Sequence, residues 1–366
     1  MIPIRLFALT ALLLAPFRLV AEESTGGWEQ ARPDYQFAFP RDHGPHYSFR
    51  TEWWYLTGNL QTRDGRQFGY ELTFFRNGYL PPGERQGVTS RFVMNDIKFA
   101  HFTITDVQGK RFHFTDKTSR GAYQEAGFGV GDKLAWIDDW QLRLVQDHFE
   151  ISARAKDFAL KLDLVPERPP VLQGDHGFSR KAQGDDHASE YYSISRLRSS
   201  GTAQIDQQTF SVAGSSWFDR EWATNQLAPN QVGWNWFALQ LQDGRDLMLY
   251  QMRLSDGSID PSSSGTVIFA DGHSAPLQRG DFELAPLRYW SSPVDGAKYP
   301  VAWTLKIKSL GMDCTVETPV PDQELRLAVR YWEGCVRCFD QNRKEIGVGY
   351  MELTGYTGAV AALGAR

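Results

Sequence analysis

Between Trp54 and Arg76 the chain alternates with period two. Trp54, Leu56, Gly58 and Leu60 share one face and Tyr55, Thr57, Asn59 and Gln61 the other. After Asp64-Gly65-Arg66 the pattern resumes, with Phe68, Tyr70, Leu72 and Phe74 on one side and Gly69, Glu71, Thr73 and Phe75 on the other. A helix, repeating about every 3.6 residues, would scatter both sets around its axis. The pattern predicts two half-buried strands joined by a tight turn, each with an apolar and a polar face. Turn dipeptides recur along the chain, at Asn77-Gly78, Asp243-Gly244, Asp256-Gly257, Asp271-Gly272 and Asp295-Gly296. Such punctuation between aromatic and β-branched residues marks hairpins. Helical periodicity is scarce, with short candidates at Ala122–Trp140 and Gly358–Arg366. The expected fold class is all-β, antiparallel.

The hairpin has an echo half a chain later. Gly233-Trp234-Asn235-Trp236 opens a strand ending Leu241-Gln242, Asp243-Gly244-Arg245 turns it, and Leu247 to Arg253 returns. Both copies carry paired aromatics, a Leu-Gln pair, an Asp-Gly-Arg turn and a return strand ending in arginine, which points to two similar domains. A chain of 366 residues also exceeds what one hydrophobic core usually serves. We expect barrel-like domains over 22–214 and 215–366, with the change near Ser215. The Pro-, Gly- and Asp-rich stretch from Pro166 to His187 is expected to be a long loop serving as lid or rim.

Residues Met1–Ala21 read as a secretion leader: Arg5 is the positive start, Leu6–Phe17 the apolar stretch and Leu19-Val20-Ala21 the small-residue exit. Arg18 interrupts the run before the roughly 20 apolar residues that a membrane span needs. The expected location is therefore secreted or periplasmic, with cleavage after Ala21. Net charge is −5, from 39 basic and 44 acidic residues intermixed without a polybasic run, which argues against a nucleic-acid partner. The three cysteines are Cys314, Cys335 and Cys338. Cys335 and Cys338 have redox or zinc spacing, but residues three apart in a strand face opposite ways. A structural pair with Cys314, or buried thiols, is expected instead.

Several words of this sequence resemble, in order, those of the lipocalin-like AttH and carotenoid 1,2-hydratase family. They are Glu52-Trp53-Trp54-Tyr55-Leu56-Thr57-Gly58, Gly174-Asp175-His176-Gly177, Tyr191-Tyr192-Ser193, Trp217-Phe218-Asp219-Arg220-Glu221-Trp222, Tyr331-Trp332-Glu333-Gly334 and Glu352-Leu353-Thr354-Gly355-Tyr356. The resemblance covers nearly all of the chain after the leader. It implies two consecutive lipocalin-like β-barrels and no metal or organic cofactor. It also implies divided function, one branch hydrating acyclic carotenoids and the exported AttH-like branch having unsettled activity.

Adding water to an isoprenoid double bond needs a proton donor, a means of holding the tertiary cation and a placed water. A carboxyl lifted by an apolar pocket supplies the first and aromatic faces the second. In a strand, Trp217, Asp219 and Glu221 share one side and Phe218, Arg220 and Trp222 the other. Asp219 is the candidate acid and Glu221 the candidate water-orienting group; a structural ion-pair network around Arg220 is the competing role for this segment. His176, between glycines, is a candidate acid or base at a barrel mouth. Glu52, Trp53, Trp54, Tyr192, Trp217, Trp234, Trp236, Tyr250 and Trp332 are expected to line the ligand cavity, with Glu333 and Glu352 as further candidates. His43 and His46 lack a third ligand at a suitable spacing, so no metal is expected. The expected partner is an apolar isoprenoid or lipid-like molecule, acted on by a cofactor-free hydratase. The alternatives are a periplasmic carrier linked to an ABC-transporter system, with peripheral membrane association, and a structural β module with a flat aromatic face. The leader makes one direct prediction: terminal mass analysis of the exported protein finds Glu22 as its first residue, and a retained Met1 would contradict it.

Overall fold

The computed structural model describes residues 26–85, 90 and 93–358. The leader and the C-terminal candidate helix beyond Gly358 lie outside the described residues. The chain folds as two antiparallel sheets in sequence. Strands between Thr51 and Ala223 make a 13-stranded sheet and those between Gln231 and Leu353 a 10-stranded one. Each half has the same arrangement at its start. The first strand (Thr51–Gln61 or Gln231–Leu241) lies between the second (Gln67–Gly78 or Asp246–Leu254) and the last (Gln208–Ala223 or Glu345–Leu353). The echo seen in sequence therefore occupies equivalent places in two lipocalin-like barrels. The first is nearly closed, and Lys117 spans its gap to Asp138 and Asp139 at 3.1 and 2.5 Å.

Two expectations change in detail. Gln208–Ala223 is one unbroken strand of the first sheet, so the chain passes between sheets at 224–230 and the expected change at Ser215 falls within a strand. Ala122–Trp140 is not a helix. It holds a short 3-10 turn at Ala122–Gln124 followed by strands Ala126–Phe128 and Lys133–Ile137, with Trp140 opening a third. Its three spaced glycines cost a helix stability, whereas Gly127 lets the Trp136 ring lie where a Cβ would sit, 2.5 Å from it.

Each barrel encloses its own apolar core. Trp54, Leu56, Phe68, Leu72 and Phe218 belong to the first and Phe237, Leu249, Trp303, Trp332 and Met351 to the second. A third apolar cluster lies between the barrels, where Tyr55, Tyr191 and Trp217 meet Trp236, Met248, Tyr250 and Tyr350. The face of the Trp54–Arg76 hairpin that alternation marks as polar is therefore covered by the second barrel instead of water, and Thr57, Glu71 and Thr73 are fully buried. Side-chain bonds cross this seam, including His101 Nδ1 to the Tyr331 hydroxyl at 2.7 Å and Gln240 Nε2 to the carbonyl of Ser195 at 2.6 Å. At Gly69 an added Cβ would sit 2.7 Å from that of Cys335, so close approach of the barrels requires glycine there.

The mouth of the first barrel is closed by a buried ion network. Arg76 Nε donates to Glu52 Oε1 at 2.5 Å and Arg220 donates to Glu52 Oε2, and all three side chains are fully buried. Burial opposes ionisation of Glu52, but Arg76 and Arg220 outweigh it and hold the carboxyl well below its usual range. Arg220 also lies over the Trp54 ring, 3.6 Å from its centre. The competing structural role considered for this segment thus belongs to Arg220. Removing the carboxylate would leave the buried Arg220 without a counter-charge and Arg76 with Asp96 alone, 4.0 Å away. Glu52→Gln should lower the unfolding free energy by about 3–5 kcal/mol in urea titration, and a loss below about 1 kcal/mol would show the network to be dispensable.

Candidate functional site between the barrels

The same alternation that fills the barrels aims the opposite side chains into the seam. From the first barrel, Trp53, Tyr55, Phe75, Tyr191, Asp219 and Glu221 line a narrow cleft; from the second, Trp234, Trp236, Tyr250, Met252, Tyr331 and Glu352 face them. Pro166–His187 is not all loop: Val171–Leu172 and Phe178–Arg180 pair with the strand Ala188–Ile205, and this places Lys181 on the cleft wall. The expected rim segment thereby supplies the site with a cation.

The acids along this wall are held in different ways. Glu221 pairs with Lys181 Nζ at 2.9 Å and accepts from Ser189 and Gln226 at 2.5 and 3.0 Å. Asp219 has no cation but three donors, the Ser193 hydroxyl at 2.5 Å, the Trp217 indole at 2.6 Å and the Tyr191 hydroxyl at 2.7 Å. Burial pushes its carboxyl up to about 7 against the pull of these donors, with Glu221 adding to the rise. Glu352 comes from the second barrel and keeps part of its surface open to the cleft. It has one side-chain donor, the Trp234 indole at 3.0 Å, and burial, aided by the charges of Glu221 and Asp219, lifts it to about 7. The barrels are joined at this point by Trp236, whose indole donates to the Tyr191 hydroxyl at 3.2 Å.

The structure brings Asp219, Glu221, Trp53, Trp234, Trp236 and Tyr250 together in the cleft. Trp217 acts from behind as a donor to Asp219. The other expected residues are elsewhere. Trp54 and Tyr192 face the interior of the first barrel, Trp332 that of the second, and Glu52 belongs to the ion network. His176 stands in solvent with its side chain 92% exposed. Gly174 and Gly177 have φ of 70° and 100° and His176 itself 52°, so the glycines serve turn geometry. Glu352, ranked low from sequence, lines the cleft; the signal for it was its position two residues beyond Tyr350 on a strand ending in a family word. Tyr55 and Tyr191 also stand in family words, but nothing there separated them from their aromatic neighbours, and Lys181 carried no signal.

His43 and His46 are spent on the barrel mouth, bonded to Tyr192 at 2.6 Å and to Asp42 at 3.3 Å. Among the described residues no group of three His, Cys, Asp or Glu side chains is placed to hold a metal ion. The cysteines are buried free thiols, with Cys335 facing the seam and Cys314 and Cys338 the second core.

The folded chain binds the Asp219 proton more tightly than the unfolded chain, whose carboxyl titrates near 3.8. Its contribution to stability is thus fully present below that value and is lost as pH rises through about 7. The unfolding free energy of wild type minus that of Asp219→Asn should fall between about pH 4 and pH 8 and level off above. A difference that rises with pH would instead mark Asp219 as an ordinary stabilised carboxylate.

Comparison with known proteins agrees with this architecture. An AttH protein from Nitrosomonas europaea is 33% identical, covers 90% of this chain and 99% of its own, and superposes with a TM-score of 0.81. Kievitone hydratase from Nectria haematococca shares the fold at 14% identity and a TM-score of 0.67, covering 87% of this chain and 93% of its own. Among curated proteins there is no significant match. The AttH-like family matches residues 30–356, and with the two-barrel fold already described, the chain belongs to that family.

Proposed function

We propose that this protein is a cofactor-free hydratase that adds water across a carbon–carbon double bond of an apolar, isoprenoid or lipid-like ligand held between its barrels. One observation carries the reading: Asp219 and Glu352, one from each barrel, are both lifted to about 7 in a cleft walled by aromatic rings. Paired acids of this kind serve as donor and acceptor at neutral pH. Sequence reasoning gave the donor role to Asp219. Its three hydrogen-bond donors favour the ionised form, so the donor role passes to Glu352, which has one.

Glu352 protonates the less substituted alkene carbon, and the cation forms on its neighbour, where the faces of Trp53, Tyr55 and Trp236 stabilise it. Water oriented by the Lys181–Glu221 pair adds to that carbon, and Asp219 takes the proton it releases. The product has gained one water, and transfer of a proton from Asp219 back to Glu352 restores the enzyme. The hydratase from Nectria haematococca is a precedent within the fold.

A second reading is a periplasmic carrier linked to an ABC-transporter system, favoured by the leader-like Met1–Ala21. Incubation with acyclic prenyl lipids, followed by mass spectrometry, separates the two. The hydratase yields a product heavier by one water, and Glu352→Gln or Asp219→Asn slows its formation by roughly 10²–10⁴-fold while tryptophan quenching by ligand persists. Quenching without any hydrated product in the wild type would leave the carrier.

A further inference from the structure

Behind Glu352 the seam holds two more carboxyls that the proposed reaction leaves unused. Glu333 is the direct cross-strand partner of Glu352, and Glu71 enters from the strand Gln67–Gly78 of the other barrel. Both are 0% exposed. Glu333 accepts from the Tyr55 hydroxyl, but its other oxygen has no partner, and neither oxygen of Glu71 has one. The hydroxyl of Thr57, paired across the hairpin with Glu71, is likewise buried and unpartnered. No ordinary structural role accounts for two carboxyls left in this state.

The groups facing them are neutral or acidic. Tyr55 comes from the first barrel's opening strand, His101 from its third, and Tyr331 and Tyr350 from the second barrel. Burial holds His101 neutral, with a pKa of about 3. Beyond Glu352 lie Asp219 and Glu221, and Lys181, on the cleft wall, is taken by Glu221. An ionised carboxylate here would be a buried charge without a counter-charge, which is strongly unfavourable. Burial lifts Glu71 to about 8, with the Thr73 hydroxyl opposing and Glu352 adding. Burial also puts Glu333 well above its usual range, with the charges of Glu352 and Glu71 adding. When one member gives up a proton, its negative charge makes loss of a second from the cluster harder, and the two that remain are shared among the three carboxyls.

We propose that Glu71 and Glu333, with Glu352 as the member open to the cleft, form a buried proton store that keeps Glu352 supplied. Glu71 and Glu333 are positioning residues, since neither reaches the ligand. As a resupply route the idea rests on the donor role proposed for Glu352; the store itself does not. In one cycle Glu352 loses a proton to the alkene and regains one from Glu333; Glu352 then passes a proton on to Glu333 as it takes the one that Asp219 gained from water, so each acid ends as it began.

Infrared spectroscopy of the full chain at pH 7 tests the store without any substrate. The wild type should show the carbonyl stretch of protonated carboxylic acids, and both Glu71→Gln and Glu333→Gln should reduce it. Their folding is checked by circular dichroism, and either folded variant suffices for the comparison. With a prenyl-lipid substrate, each variant should keep the wild-type single-turnover rate and lose roughly tenfold or more in steady state. A wild-type spectrum without that band, or a band unchanged in both variants, would overturn the store, as would loss of rate in the single turnover alone. A band that responds to both variants in a protein that hydrates nothing supports the store and removes only the hydratase reading.

Discussion

The packing of one barrel's polar sheet face against the other barrel is the constraint on which the rest of this structure depends. A sheet with one apolar face usually turns the other to water, and charged side chains there are solvated without cost. Here the second barrel excludes that water. Each acid in the covered face must then find a cation, gather hydrogen-bond donors or keep its proton. All three solutions occur. Glu221 takes Lys181, Asp219 takes three donors, and Glu71 and Glu333 have too few partners of any kind to ionise. The acid chemistry available to the cleft is a consequence of which solution each residue was left with.

Glu52 shows that burial alone does not decide the outcome. It is as deeply buried as Glu333, yet two arginines hold it ionised at the mouth of the first barrel. The difference lies in the elements that converge there. Arg76 is its cross-strand partner on the adjacent strand, and Arg220 lies on the strand at its other side. Glu333 has instead Glu352 across from it. The result is a sharp division of labour between a charged network that closes a barrel and a neutral acidic cluster that borders a cleft. Both barrel interiors are filled with aromatic and branched side chains, and the aromatic-lined cleft lies between the barrels.

Much of this was legible in the sequence. Alternation identified the hairpin, the second hairpin fell in the equivalent position of the second barrel, and the division of Trp217–Trp222 into two faces was the division observed, with Asp219 and Glu221 together on the cleft side. Legibility ended where alternation had to be given a destination. Trp53 and Trp54 are chemically alike and adjacent, but one lines the cleft and the other the first core. Tyr191 and Tyr192 divide in the same way. Ala122–Trp140 misled because its strands Ala126–Phe128 and Lys133–Ile137 are too short for alternation to stand out, and they are held by pairing with one another. Lys181 was hidden in a segment whose composition indicates only a turn-rich path.

By itself the sequence determined the local matters: strands, turns, the two faces of each strand and the family to which their order belongs. These follow from period-two geometry and turn chemistry, which act over a few residues. Only the tertiary structure decided what each face meets. Thr57, Glu71 and Thr73 read as a solvated polar face because nothing within the hairpin could cover them; they are buried because a barrel that begins only at Gln231 lies against them. The ionisation of Asp219, Glu333 and Glu352 follows from that covering, since a carboxyl's pKa depends on the water and charges around it, and these are supplied by residues far away in the chain.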